Sequence, residues 1–135
     1  MYNHILLPVS FDDDKNAEKA IAVARRLADT DCKVTLLHVM EHVPGYVINY
    51  IPEGFQEEAQ KAIVSSLQQM GADIPGAIGM VIEGQAGRSI LDWVDANDVD
   101  CIVIASHRPG MQDYFLGSTA SQVVRHAKCG VHVVR

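Results

Sequence analysis

Gly117-Ser118-Thr119 stands at the head of a run in which Ala120, Val123, Val124 and Ala127 recur at helical spacing. A helix starting there leaves backbone N–H groups without intrahelical partners and carries partial positive charge, which suits a phosphate. Gly117 lets the backbone come close to an anion, and Ser118 and Thr119 add hydroxyl donors. The same three residues also fit a plain turn in which Ser118 is only an N-cap. On this stretch alone the two readings are balanced. Upstream, the polar Ser106-His107-Arg108 follows directly on the apolar residues 101–105, a run short and β-branched enough for a buried strand. The pattern is strand, polar loop, helix.

Other nucleotide and catalytic signatures are missing. There is no G-x-x-x-x-G-K-[ST], no G-x-G-x-x-G after the first strand and no G-x-S-x-G. Of the six histidines, His38 and His42 are four apart, but they straddle a strand end, which disfavours a zinc site. Asp12, Asp13 and Asp14 resemble the acids of a receiver domain, yet strands three and five end on Glu83 and Arg135 where that reading needs Asp and Lys. The acids fit better as helix-start residues.

The elements that must position these groups alternate regularly. Residues 4–9 (HILLPV) form an apolar strand that Pro8 ends, and Ala17, Ala20, Ile21, Ala24, Leu27 and Ala28 mark a helix stripe. Residues 34–39 are a second strand. The long connection 40–54 holds two prolines, Tyr46 and Tyr50, and is expected to be a lid, a contact surface or a cover over the sheet edge. A helix with Ala59, Ala62, Ile63, Leu67 and Met70 inward ends at Gly71; residues 78–83 are the third strand. Gly84-Gln85-Ala86-Gly87 turns into a helix burying Ile90, Leu91 and Val94, with Trp93 packing beside them. Residues 130–135 are a last short strand.

Strands alternating with helices predict an α/β fold, a five-stranded doubly wound parallel sheet of Rossmann-like order 3-2-1-4-5 in one domain, 1–135. Ligands of such sheets bind beyond the carboxyl ends of the strands, where the strand order reverses. That crevice, between strands one and four, sets Pro8-Val9-Ser10 across from Ala105-Ser106-His107.

Composition bounds the rest. A net charge of −6 offers no basic footprint for nucleic acid, and no apolar run is long enough for a membrane helix. The start lacks the pattern of a signal peptide, and three separated cysteines without C-x-x-C read as reduced and mostly buried; a cytoplasmic location is expected.

Together, HILLPVS, VTLLHV, the E-G-x-x-G-x-x-I-L turn at 83–91 and IVIASHRP…YFLGSTASQVVRHAKCGVHVV resemble the universal stress protein family over nearly the whole chain, above all its small single-domain bacterial members. The resemblance implies the fold deduced above and, in many members, bound ATP. The family motif G-x2-G-x9-G-[ST] keeps its end here, Gly117-Ser118. Ala105 and Arg108 stand where its leading glycines would be, and the loop is one residue shorter. Arg108 either blocks the phosphate path or grips phosphate through its guanidinium. Ser10 replaces the usual Asp after strand one, with Asp12 as a nearby substitute for contact to nucleoside or Mg²⁺.

By the same resemblance, Val39 offers backbone groups to adenine and Pro8 and Val9 line its pocket. Ser106 and His107 lie near the ribose, while Gly117, Ser118 and Thr119 hold the phosphates. The family also implies a homodimer through the last strand, 131–134, which the aromatic loop 43–51 could extend to a tetramer. His126 and His132 are expected to be structural or at a subunit contact. The leading expectation is an ATP-binding stress-response sensor or adaptor with Mg²⁺. The alternatives are a nucleotide-free homodimeric interaction module and, with no convincing water-activating group, a slow ATPase at most.

Overall fold

The computed structural model describes residues 1–11, 14–106 and 116–135; Asp12, His107 and Arg108 lie outside the described residues. The elements run β1 His4–Pro8, α1 Asp14–Leu27, β2 Lys33–Met40, α2 Gly45–Ile48, α3 Phe55–Met70, β3 Ile78–Glu83, α4 Ala86–Ala96, β4 Cys101–Ala105, α5 Ser118–His126 and β5 Gly130–Val134. All strand pairs are parallel, and the sheet order is β3-β2-β1-β4-β5. The doubly wound order read from the alternation of elements is the observed one.

Burial follows from that order. β1 and β4, at the centre, are buried through their first four residues, whereas β3 and β5 at the edges are only partly covered. On one face, Ala20 and Ala24 of α1 and Leu67 of α3 pack on Ile5, Leu7, Val34, Leu36 and Val103. On the other, Ile90 and Val94 of α4 and Ala120 and Val123 of α5 pack on Leu6, Leu37, Ile102 and Ile104. The period-2 alternation of strands and the helix stripes meet in these two layers. The β3–α4 turn needs its glycine. Gly84 has φ +144°, its N–H donates to the Met40 carbonyl at 2.9 Å, and a Cβ there would collide with the Ser89 hydroxyl.

Two expectations are corrected. Val124 is 43% exposed, because it sits at the margin of the stripe that Ala120, Val123 and Ala127 define. Ala62 is likewise exposed on α3. The connection 40–54 carries a helical turn that its residue pattern did not announce. It contains the single turn α2, which buries none of its residues, and it leaves Tyr46 81% and Tyr50 85% exposed. Four residues make too short a helix to present a core-facing stripe. Trp93 packs as expected, edge-on to the His4 ring at 5.6 Å.

Candidate functional site

A cleft of about 790 Å³ opens beyond the carboxyl ends of β1, β2 and β4. Its walls contain Pro8, Val9, Ser10, Val39, Ala105, Ser106, Gly117, Ser118 and Thr119, so every described residue expected at the site lines one space. The β1–β4 register, Ile5↔Cys101 and Leu6↔Ile102, carried forward sets Val9 beside Ala105 and Ser10 beside Ser106. The cleft also reaches over β2, through His38, Met40 and Glu41, and under Phe11, Asn16, Ile63 and Ala86. Sequence reasoning passed over these. The polar His38 near the carboxyl end of VTLLHV was the available signal.

Two backbone arrangements shape the site. Ser106, fully buried, donates its N–H to the Val134 carbonyl at 2.8 Å and accepts from the Gly117 N–H at 2.6 Å. The end of β4 is thereby tied both to the edge strand and to the start of α5. Gly117 is the N-cap of α5 in an extended conformation (φ −62°, ψ 162°), and no side chain caps the helix. The Ser118-cap reading is therefore corrected: Ser118 is the first helical residue, and it is exposed. No acidic residue occupies the first turn, while Arg125 and His126 sit in the last, so the helix dipole keeps its positive end toward the cleft.

The second arrangement is at the end of β2. The Val9 N–H donates to the Leu37 carbonyl at 2.8 Å, the last step of β1–β2 pairing. His38 turns its ring back and donates from Nδ1 to the Val9 carbonyl at 2.8 Å, with Phe11 packed edge-on at 4.9 Å. His42 diverges from His38, lying 3.7 Å from a Glu83 carboxylate oxygen. Among the described residues no group of three His, Cys, Asp or Glu could hold a metal ion.

Among the described residues, the groups with shifted ionisation lie at the opposite end of the sheet. Burial pushes the Cys101 thiol up to about 11, partly offset by a hydrogen bond to Tyr2, and burial likewise raises Cys32 and Cys129. At Asp100 burial acts upward. The Asn3 and His4 N–H groups, donating to the carboxylate at 2.8 and 3.0 Å, outweigh it and hold the group below its ordinary value. The cleft itself combines apolar walls, a few polar groups and a helix terminus, features that suit an anion-bearing apolar ligand. No helix among the described residues is long and apolar enough to cross a membrane.

The family model of the universal stress proteins matches residues 1–135. Universal stress protein G of Salmonella typhimurium is 32% identical over 143 residues, with 100% of both chains covered. Among solved structures, universal stress protein UspA from Lactobacillus plantarum superposes with a TM-score of 0.73 at 26% identity, covering 99% of this chain and 98% of that one. The universal stress protein from Archaeoglobus fulgidus in complex with dAMP has a TM-score of 0.69 at 22% identity, covering 99% and 98%, a likeness of fold. With the family model spanning every residue and a relative aligned end to end, the chain belongs to the universal stress protein family.

Proposed function

We propose that the cleft binds an adenine nucleotide, ATP with Mg²⁺, and that the protein acts as a nucleotide-loaded stress-response sensor or adaptor in the cytoplasm. The observation that carries this reading is the juxtaposition in one cleft of the uncapped α5 N-terminus with the apolar end of β1 and the backbone edge of β2. Pro8 and Val9 wall the base and Val39 meets it with backbone groups; Ser106 and His107 lie by the ribose. The first-turn N–H groups of α5, with the Ser118 and Thr119 hydroxyls, take the phosphates. Ala105 adds only a methyl group there, Ser10 contributes a hydroxyl, Arg108 grips phosphate and Asp12 contacts Mg²⁺. The dAMP held by the Archaeoglobus fulgidus protein supports the class of ligand.

In this reading the chain is one domain and is not an enzyme; any hydrolysis is slow and times the bound state. The assembly is a homodimer through β5, whose edge shows half-buried Val131 and Val133 with His132 exposed between them. The exposed aromatic segment 43–51 is the surface that would extend it to a tetramer. Denaturing freshly purified protein and identifying released nucleotide by mass spectrometry tests the proposal. ATP near one per chain is the expected result. An empty extract, followed by ATP titration without heat, would refute it in favour of a nucleotide-free homodimeric interaction module.

A further inference from the structure

At the end of β2 the backbone geometry decides which groups reach the cleft. Leu37 presents its carbonyl to β1, where the Val9 N–H donates to it at 2.8 Å; Met40 presents its carbonyl the other way, to the Gly84 N–H at 2.9 Å. Backbone groups alternate between neighbouring strands residue by residue, so Val39 faces the same side as Leu37. One further ladder step would join the Val39 N–H to the Val9 carbonyl. The ladder instead ends at Pro8↔Leu37, and the Val9 carbonyl accepts from His38 Nδ1 at 2.8 Å. A carbonyl can only accept, so Nδ1 carries the ring proton. Phe11 holds the ring in place at 4.9 Å.

We propose that His38 is a positioning residue that holds the Val9 carbonyl toward its ring, out of line with the β2 edge, and so keeps the Val39 N–H and C=O turned to the cleft as a donor–acceptor pair for a purine edge. The identity of the ligand rests on the adenine-nucleotide reading above; the backbone geometry does not. Adenine presents an N1 acceptor beside an N6 amino donor, which complements an N–H beside a carbonyl. Hypoxanthine presents N1–H beside an O6 acceptor, the reverse order. An open Val39 edge therefore favours AMP over IMP, because the wrong base leaves buried polar groups unpaired. An edge sealed onto Val9 does not discriminate.

The test compares wild type with His38→Leu, which cannot donate, and His38→Asn, whose amide can donate from near the Nδ1 position. Two quantities are read: hydrogen exchange of the Val39 amide in ligand-free protein by NMR, and AMP and IMP affinities by calorimetry. In wild type and His38→Asn, Val39 exchanges fast and AMP is preferred about tenfold. In His38→Leu, Val39 exchange slows by about tenfold or more as the ladder closes, and the AMP/IMP ratio falls toward one. A Val39 amide already protected in wild type overturns the proposal while leaving nucleotide binding intact. So does an unchanged AMP/IMP ratio in a folded His38→Leu. Failure of wild type to bind either nucleotide overturns the proposal together with the nucleotide reading. The wild-type exchange rate alone can refute the geometry if the leucine variant does not fold.

Discussion

Ser118→Asp should make the protein more stable and a poorer nucleotide binder at once. Ser118 is the exposed first residue of α5, a helix with no side-chain cap and no acid in its first turn. A carboxylate there meets the positive end of the dipole and should add about 0.3–1 kcal/mol. For a chain of 135 residues that raises the melting temperature by roughly 1–4 °C. The same charge repels phosphate. At roughly 5 Å, two unit charges interact by about 0.8 kcal/mol in water-like surroundings and about 3 kcal/mol at an effective dielectric of about 20. Ser118 is exposed, so the lower part of that range applies, and ATP affinity should fall by about tenfold. Ser118→Asn, similar in shape to the aspartate but neutral, loses the hydroxyl without adding the charge and should lower affinity less than Ser118→Asp. Raising salt from about 0.1 M to about 1 M should shrink the gap between the two variants, as screening shortens from about 10 Å to about 3 Å. Thermal melts without ligand and calorimetric ATP titrations read both effects. A raised melting temperature with unchanged affinity would place the phosphates elsewhere. A lowered one would mean that the α5 terminus is not an open positive pole.

Two further outcomes concern the opposite end of the sheet. Asp100→Asn keeps one of the two acceptor oxygens that Asn3 and His4 share, and should cost about 1–2 kcal/mol at pH 7 by denaturant unfolding. Because the folded Asp100 is held below its ordinary value, its contribution is present above the unfolded pKa and is lost as pH falls through the folded one. The wild-type advantage should therefore vanish in acid; an advantage that persists there would contradict the carboxylate's role. Alkylation of native protein near pH 8 should label the half-buried Cys129 first and leave Cys32 and Cys101 protected until denaturation, as mass spectrometry can follow. Rapid labelling of Cys101, whose thiol burial pushes up to about 11, would contradict its packing.

Much of the architecture was legible because its signals are local. The apolar runs at 4–9 and 101–105, the helix stripes and the glycines at 84 and 117 each follow from one segment's own spacing. The site was legible for a related reason. In a doubly wound sheet the strand order alone brings Val9-Ser10 and Ala105-Ser106 to one crevice. What local spacing missed was the exposure of Ala62 and of Val124 at the stripe margin, and the turn α2 inside 40–54. Their exposure depends on what lies opposite, and no segment carries that information by itself.

By itself, the sequence determined the alternation of strands and helices, the family pattern and the place of the cleft, since all three depend on residue type and order along the chain. Only the tertiary structure decided which backbone groups the cleft presents. Gly117 rather than Ser118 caps α5, with its N–H bound to the Ser106 carbonyl. His38 reaches across to the Val9 carbonyl, where the β1–β2 ladder ends. Each depends on a hydrogen bond between residues distant in sequence, with 29 positions separating His38 from Val9. Such a bond exists only once packing has brought its donor and acceptor into register.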